Sequence, residues 1–353
     1  MTGVRLHAPL DLRVEDLPDP PPPGPGEALI RVSAAGICGS DLHSYNHARI
    51  GDTQVSSPLV LGHEFAGVVE RCGAGAVAGD GRPLLAGLRV AVDPATPCGK
   101  CDMCLKGDPH ICRALHFCGL APDDGCFRER LLSPARSCFI LPPDISDEEG
   151  AMLEPLGVAM HAVDLCRITK GDTVALFGAG PIGILILQLL RNAGASSVYV
   201  VEPLPWRLSL AERFGGIAID PAADPVAGIM RKTGGRGADV AFEAAWANAS
   251  VQDAAESTVP GGRVVLVGIP ADNRFSLDHA TARRKELSFL FSRRMKHTYP
   301  GAIRLVQERQ VDLQSLITHR FPLNELPAAF ALNARYGDRV VKVMIMGGGA
   351  RER

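Results

Sequence analysis

The segment "VALFGAGPIGILILQLL", residues 174–190, most narrows the folds open to this chain of 353 residues. Gly178, Gly180 and Gly183 stand in G-x-G-x-x-G order, directly after a predicted strand and at the start of a predicted helix. The first glycine permits a tight turn, the second a close approach to a pyrophosphate, and the third close packing of helix on strand. The N-terminus of the helix then offers N–H donors to phosphates. The segment therefore predicts a dinucleotide site, the alternative being a glycine turn in another kind of α/β protein.

The next predicted strand, "VYVVEP", ends at Glu202, which lies about twenty residues beyond the glycines, as the dinucleotide fingerprint requires. A carboxylate there can accept hydrogen bonds from the adenosine ribose and repels a 2′-phosphate, so NAD is favoured over NADP. The other interpretation of Glu202 is a surface residue at a strand end. Arg207, in the following predicted helix, is placed with the cofactor residues.

Strand and helix patterns divide the chain into two domains. From Val174 to about Phe291, apolar strand segments alternate with helical segments, which predicts a doubly wound parallel sheet of the Rossmann type. The earlier chain reads as short strands separated by Gly and Pro, which predicts a β-rich domain. We expect an α/β protein with a catalytic domain at 1–152, a cofactor domain at 153–292, completion of the catalytic domain at 293–353, and an active site in the cleft between the domains.

Four closely spaced cysteines predict a first metal site. They are Cys98, Cys101, Cys104 and Cys112. Four thiolates on one short loop can close a tetrahedral shell around zinc and leave no position for substrate. The competing interpretation is an iron–sulfur cluster, but the ferredoxin run has a shorter last gap followed by Pro, whereas Arg113 follows here. We therefore expect a structural zinc.

Three separated motifs predict a second metal site. "GICGSDLH" offers Cys38, "LGHEFAGVV" offers His63 and Glu64, and "AMLEPLGVAMHA" offers Glu154. Singly, these residues have ordinary interpretations, namely a buried thiol, a capped core histidine and a carboxylate at a helix start. Together with a dinucleotide site they predict an open zinc site, in which a few protein ligands leave room for substrate.

Composition excludes some partners. A formal net charge of −2 argues against a nucleic-acid or anionic-membrane surface. No apolar run approaches the length of about 18 residues that a membrane span requires. The N-terminal "MTGVRLHAPLDLRVEDLPDP" has no apolar core of the kind that signal peptides carry. We expect a cytoplasmic protein.

In this order, the motifs resemble the zinc-dependent medium-chain alcohol dehydrogenases, over the chain from about Val4 to Ile345. Within that family the chain is most similar to the sorbitol (L-iditol) and other polyol dehydrogenases, on "GSDLH", "ARIGD", "PLVLGHEFAG", "FCGLAPDDG", "LEPLGVAMHA" and "THRFPL". Glu154 of "LEP" stands where the family's alcohol dehydrogenases carry a zinc-binding Cys and its polyol dehydrogenases a Glu. The resemblance implies that the β-rich domain is GroES-like.

The resemblance also implies roles for individual residues. Catalytic zinc would be held by Cys38, His63 and Glu64, with Glu154 binding directly or through water. The metal would polarise the alcohol while its carbon passes a hydride to the nicotinamide. By the same similarity, Ser40 takes the alcohol proton and passes it through the cofactor ribose toward His43, which exchanges it with solvent, and Asp41 orients a metal ligand or the loop.

The resemblance weakens at the substrate positions. Phe117 keeps the family's aromatic, but Ser44 and Leu120 replace a Tyr and a Thr, and Met295 replaces the Tyr of an Arg-Tyr pair. Fewer hydroxyl partners favour a less hydroxylated or differently placed substrate. Arg294 would meet a substrate acid or phosphate group, or else form an ion pair at a domain hinge.

The leading hypothesis is a zinc- and NAD-dependent dehydrogenase. It would oxidise a secondary alcohol of a polyol (sorbitol, xylitol or L-iditol) or of a vicinal diol to the ketone. Alternatives with the same chemistry act on 2,3-butanediol, L-threonine or L-idonate, and a different class is a non-catalytic relative that binds zinc and NAD. A zinc-free quinone reductase of the same fold would lack the four cysteines. Family members are dimers or tetramers, so we expect a homo-oligomer, with "GGRVVLVGIP" near an interface.

Overall fold

The computed structural model describes residues 1–55, 58–220, 223–245, 247–270 and 273–347. The chain divides into two compact units. One consists of Met1–Glu154 together with the chain from Tyr299 onward, and the other of Pro155–Thr298.

The described residues form twenty strands, numbered in chain order: β1 (Thr2–Ala8), β2 (Asp11–Asp16), β3 (Glu27–Gly36), β4 (Arg49–Ile50), β5 (Thr53–Gln54), β6 (Leu59–Val60), β7 (Glu64–Cys72), β8 (Arg89–Val92), β9 (Ala95–Thr96), β10 (His116–Phe117), β11 (Arg130–Pro134), β12 (Cys138–Ile140), β13 (Thr173–Phe177), β14 (Ser197–Val201), β15 (Ile217–Ile219), β16 (Ala238–Glu243), β17 (Thr258–Leu266), β18 (Ser288–Phe291), β19 (Ile317–Pro322) and β20 (Lys342–Met346).

The α-helices of the described chain are α1 (Gly39–His47), α2 (Asp102–Leu105), α3 (Asp147–Cys166), α4 (Pro181–Asn192), α5 (Pro205–Arg213), α6 (Pro225–Lys232), α7 (Asn248–Ser257), α8 (His279–Arg284), α9 (Tyr299–Gln307) and α10 (Leu326–Ala334). Short 3₁₀ helices cover Pro109–Ile111, Ala135–Ser137, Gln314–Leu316, Leu323–Glu325 and Gly337–Arg339. None of the helices in the described ranges is both long enough and apolar enough to cross a bilayer.

The first unit is built on a largely antiparallel sheet. Its main strand order is β12-β8-β7-β3-β20-β19, and β11 also pairs with β3. Because β3 is antiparallel to both neighbours, its last residue, Gly36, lies opposite Glu64 of β7 and Met344 of β20. The segment that follows β3, the start of β7 and the start of β20 therefore meet at one end of the sheet. Smaller pairings are β2-β1-β6, β4-β5 and β9-β10.

The second unit contains a six-stranded parallel sheet of order β15-β14-β13-β16-β17-β18. The strand order reverses between β13 and β16, and in doubly wound sheets ligands bind at the carboxyl ends of the strands at this switch point. Its apolar core includes Phe177, Ile219 and Ile229, all buried. The prediction of a Rossmann-type sheet is confirmed.

The long helix α3 runs through the division between the units, which falls between Glu154 and Pro155. Because the helix is continuous there, no turn or linker marks this boundary in the sequence. The second division falls between Thr298 and Tyr299, where α9 begins.

Candidate metal and cofactor sites

Sheet register brings three donor side chains of the first unit together. Cys38 follows β3 and directly precedes α1, while His63 and Glu64 stand at the start of β7. Their ligand atoms, one from each residue, all lie within 4.8 Å of one another. His63 and Glu64 are buried, and Cys38 is half-buried. A thiolate, an imidazole and a carboxylate are ligands that zinc accepts, and three of them leave a position open for substrate.

His63 is held between two residues of α1. Its Nδ1 lies 3.5 Å from Asp41 Oδ1, and its Nε2 lies 3.5 Å from Ser40 Oγ. Asp41 is buried and also accepts hydrogen bonds from the backbone N–H groups of Cys38 (2.9 Å) and Gly62 (3.1 Å). One carboxylate therefore ties the Cys38 loop to the His63 segment. Because a hydrogen-bonded carboxylate fixes the orientation of a ligating histidine, this contact fits a metal ligand.

The surroundings of His63 favour a positive charge. Burial lowers the pKa of the imidazole, but Asp41 and then Cys38 raise it, and the net pKa lies well above the ordinary value of 6.5. The site therefore has the negative potential that a cation requires.

Lys342, which the motif analysis missed, lies against the same group. It is 2% exposed and forms a buried ion pair with Glu64, and its Nζ donates to the carbonyl oxygen of Ile37 at 2.9 Å. Burial lowers the pKa of Lys342, while Glu64 and then Cys38 raise it, with a net rise. The available signal was a single lysine inside the apolar strand "RVVKVMIM".

Glu154 and His43 are not part of the three-residue group. Glu154 is buried in α3 and lies outside the set of mutually close donor atoms among the described residues. His43, on α1, is 5% exposed, and its ring centroid is 6.3 Å from that of the exposed His47. Phe117, in contrast, is brought to the site, because its ring centroid lies 5.1 Å from that of His63.

Other predicted substrate positions are spread over both units. Ser44 is buried in α1, and Leu120 is half-buried in the loop after β10. Arg294 and Met295 belong to the second unit, where Met295 is buried and Arg294 adopts a positive φ of 61°.

The four-cysteine loop forms a compact cluster. The sulfur of Cys101 lies 3.5 Å from that of Cys104 and 3.8 Å from that of Cys112, and the sulfurs of Cys98 and Cys104 are 4.0 Å apart. When four sulfur atoms surround one zinc ion tetrahedrally with zinc–sulfur bonds of about 2.3 Å, neighbouring sulfur atoms lie just under about 4 Å apart. The spacing therefore fits one zinc ion.

Backbone donors prepare this cluster for anionic sulfur. The backbone N–H groups of Arg113 and Cys104 lower the pKa of Cys101 to about 6. Burial and neighbouring thiols raise that of Cys104 to about 12. Arg113 also binds both carboxylate oxygens of Asp102, at 2.6 and 2.8 Å, which braces the loop. A metal would stabilise all four thiolates, so we attribute to it a loop-fixing role.

The glycine-rich turn of the second unit joins β13 to α4 at the switch point. Gly178 has a φ of 100°, which favours glycine, and a Cβ on it would lie 2.6 Å from the carbonyl oxygen of Ala244. A Cβ on Gly183 would overlap the carbonyl oxygen of Gly178, so the third glycine permits close helix packing. Gly180 directly precedes α4, and Pro181 opens the helix.

Glu202 and Arg207 lie beside this turn. The buried Glu202 carboxylate accepts hydrogen bonds from the backbone N–H of Ala179 at 2.7 Å and of Leu204 at 3.0 Å. Arg207 Nη1 lies 3.6 Å from the position that a Cβ on Gly180 would occupy. Both side chains therefore lie next to the glycine turn, and their contacts with a cofactor remain predictions.

Family models match two regions of the chain. "Alcohol dehydrogenase GroES-like domain" matches residues 24–143, and "Zinc-binding dehydrogenase" matches residues 181–308. The predicted GroES-like character of the first domain is thereby confirmed, as are the expectations of zinc and a nicotinamide dinucleotide as cofactors.

Similar proteins extend over nearly the whole chain. Human sorbitol dehydrogenase is 36% identical, and the match covers 92% of this chain and 90% of the human protein. L-idonate 5-dehydrogenase of Vitis vinifera is 32% identical, and the match covers 91% of this chain and 88% of the plant protein. A solved 2R,3R-butanediol dehydrogenase from Bacillus subtilis is 31% identical with a TM-score of 0.87, covering 98% of this chain and 99% of that one. A zinc-binding dehydrogenase from Sinorhizobium meliloti 1021, solved bound to NADP, is 32% identical with a TM-score of 0.88, covering 98% of both chains.

Fold, donor groups, glycine turn and sequence similarity agree with one another. The chain belongs to the zinc-binding medium-chain alcohol dehydrogenases, in the branch that contains the sorbitol dehydrogenases.

Proposed function

We propose that this enzyme oxidises a secondary alcohol of a polyol or vicinal diol to the ketone, with reduction of NAD. The observation that carries the proposal is the group of Cys38, His63 and Glu64, whose three donor atoms lie within 4.8 Å of one another. Three ligands rather than four mark a site that can admit substrate. Glu154 then serves as a further carboxylate, reached directly or through water.

When bound, zinc polarises the substrate hydroxyl and NAD accepts the hydride from the carbon that carries it. The chain's own residues bind the substrate and move the proton. We assign to Ser40 the acceptance of the proton from a hydroxyl that approaches the donor group, which is supported by the distance of 3.5 Å between its Oγ and His63 Nε2. His43, three residues further along α1, is the proposed end of this proton path. Asp41 holds the His63 ring in place.

We propose NAD rather than NADP as the cofactor. Gly178, Gly180 and Gly183 form the phosphate turn, and Glu202 and Arg207 flank it. A buried carboxylate beside the ribose position repels a third phosphate, which favours NAD.

The residues at the expected substrate positions favour a diol or a modest polyol. Phe117 is an apolar neighbour of His63, and the sequence carries Ser44, Leu120 and Met295 where the family pattern has more hydroxyl partners. Human sorbitol dehydrogenase and the butanediol dehydrogenase support this class. Arg294 favours a second candidate, a sugar acid such as L-idonate, because a guanidinium binds a carboxylate with two hydrogen bonds. L-Threonine is a further candidate substrate, which would be oxidised by the same chemistry.

We further propose that Met1–Glu154 and the chain from Tyr299 onward form the catalytic domain, and that Pro155–Thr298 forms the cofactor domain. A homo-oligomer, dimer or tetramer, is supported by the edge of the second sheet. The edge strand is β18, one strand beyond the predicted "GGRVVLVGIP", and Phe291 at its end is 65% exposed. A reducing compartment such as the cytoplasm suits ten cysteines of which none forms a disulfide.

The deciding experiment is NADH formation by the purified protein with sorbitol, xylitol, L-iditol, 2,3-butanediol, L-threonine and L-idonate, each with and without a chelator. We expect turnover with one substrate class, lost on chelation. His63→Ala should abolish turnover and remove one zinc per chain while NAD binding stays largely intact. Full activity of His63→Ala would show that the zinc assignment is wrong, and a folded, zinc-loaded protein that binds NAD but oxidises no alcohol would favour a non-catalytic relative.

A further inference from the structure

Lys342 links two of the three segments that supply the candidate zinc donors. Its Nζ pairs with Glu64 Oε2 and donates to the carbonyl oxygen of Ile37, the residue before Cys38. Both members of the ion pair are 2% exposed. The lysine therefore contacts the site from the β20 side of the sheet.

The sheet has a space shaped for this pair. Gly36 lies opposite Glu64 in the β3–β7 ladder. A Cβ on Gly36 would overlap Glu64 Oε2 and would come within 2.9 Å of Lys342 Cε. The absence of a side chain at Gly36 therefore leaves the room that the pair occupies.

A buried ion pair is a weak source of stability, because desolvation of both groups offsets most of their attraction. Apolar residues of similar volume would fill the same space at least as well. The charges therefore call for an explanation other than packing, and the neighbouring donor group supplies one.

We propose that Lys342 is a positioning residue of the open zinc site, an inference that rests on the proposed function. Its ammonium group binds one carboxylate oxygen of Glu64 and leaves the other oxygen to act as the metal ligand. Its charge offsets one of the two negative charges that Cys38 and Glu64 bring. With Lys342 present, a divalent cation and these three charged groups together keep a net positive charge, which preserves the power of the cation to polarise a hydroxyl. Without it, the same donors neutralise the cation completely.

This assignment predicts that removing the lysine tightens metal binding. Loss of a positive charge beside a dication raises the affinity of the site for that dication, and we expect a factor of about ten or more. It also frees the second oxygen of Glu64, which would raise the coordination number. A purely structural lysine would alter neither property.

The test is a double-mutant cycle on zinc release to EDTA, with Lys342→Met, Glu64→Gln and the double variant. We expect Lys342→Met to slow loss of the open-site zinc by about tenfold and to weaken the visible absorption of the cobalt-loaded enzyme. In the Glu64→Gln background the same change should slow zinc release by less than in the wild-type background, since the direct charge effect remains but no second carboxylate oxygen is freed.

Two further variants keep the test decisive. Lys342→Gln removes the charge but keeps a donor for both oxygens, so it carries the same expectation if Lys342→Met does not fold. Lys285→Met is the matched control, because Lys285 Nζ donates to three carbonyl oxygens of the second unit and contacts no candidate ligand. It should lower stability and leave zinc release unchanged.

Zinc content separates this inference from the proposed function. The wild-type protein should hold two zinc ions per chain and His63→Ala one. If the wild type held only one, the open site and the proposed function would both be wrong. If it held two and the folded Lys342 variants released zinc at the wild-type rate or faster, only the role of Lys342 would be overturned.

Discussion

Asp41 Oδ1 lies 3.5 Å from His63 Nδ1, and both side chains are buried. The contact joins α1, which follows one donor, to His63, which directly precedes β7 and its first residue, Glu64. The geometry of the donor group therefore depends on a residue that is not itself one of the donors.

Asp41→Asn keeps the shape of the side chain and removes its charge. We expect a 10- to 100-fold loss of metal affinity or of kcat/KM, about the range found when the carboxylate behind a ligating histidine is changed. Zinc competition and steady-state kinetics would measure it. Asp19→Asn, at a side chain that is 64% exposed, is the control and should match the wild type. A wild-type result for Asp41→Asn would remove it from the metal site.

Cys98→Ser should unfold the loop that the four cysteines close. Because binding free energy at a structural zinc is folding free energy, we expect loss of one zinc per chain and a fall in Tm of about 10 °C. Differential scanning calorimetry with zinc analysis checks both. Cys72→Ser makes the same change at a half-buried thiol outside the cluster and should cost little. Equal effects of the two variants would contradict the structural zinc.

Glu202→Gln retains an oxygen for the Ala179 N–H but removes the negative charge beside the phosphate turn. We expect the ratio of kcat/KM for NADP to that for NAD to rise about tenfold, since repulsion of the 2′-phosphate is lost. Glu212→Gln, on the exposed face of α5, controls for a change in net charge. An unchanged ratio would show that another residue selects the cofactor.

The carboxyl group of Asp172 predicts an acid-sensitive contribution to the stability of the second unit. Burial raises the pKa of its carboxyl, but hydrogen bonds from Thr169 and Arg263 together lower the pKa by more than burial raises it. The folded-state pKa therefore lies below the ordinary 3.8. The carboxyl of Asp172 then binds a proton more readily in the unfolded chain than in the folded protein. The stabilisation by the ionised carboxylate is therefore complete above about pH 4, and it is lost as the pH falls through the folded-state pKa.

Asp172→Asn should therefore reduce the free energy of unfolding by about 1–2 kcal/mol at pH 7. The difference between variant and wild type should shrink below pH 4. Urea titrations at several pH values measure it, and a difference independent of pH would contradict the assignment.

Local patterns were sufficient for the family and for much of the candidate site. The glycine turn depends on spacing along one strand–turn–helix segment, because Gly178 adopts a positive φ there and a Cβ on Gly183 would overlap Gly178 in the same segment. The cysteine loop is equally local. The family, the fold class and the cofactors predicted from these patterns are confirmed, and the roles of individual site residues remain predictions.

Contacts between segments that are distant in the chain could not be predicted from local sequence patterns. Lys342 stands 278 residues from Glu64 in the chain, and no motif connects them. Its contact arises because β20 and β7 both pair with β3, a consequence of strand order. The edge position of β18 is likewise a property of the whole sheet, and the interface expected near "GGRVVLVGIP" remains a prediction.

By itself, the sequence determined which donors and which turn this protein has, because ligand type and glycine placement are chemical properties of short segments. Only the tertiary structure decided which buried charge faces those donors. The register of three strands placed Lys342 and Glu64 together in the space left by Gly36, and desolvation makes that pairing obligatory once both are buried.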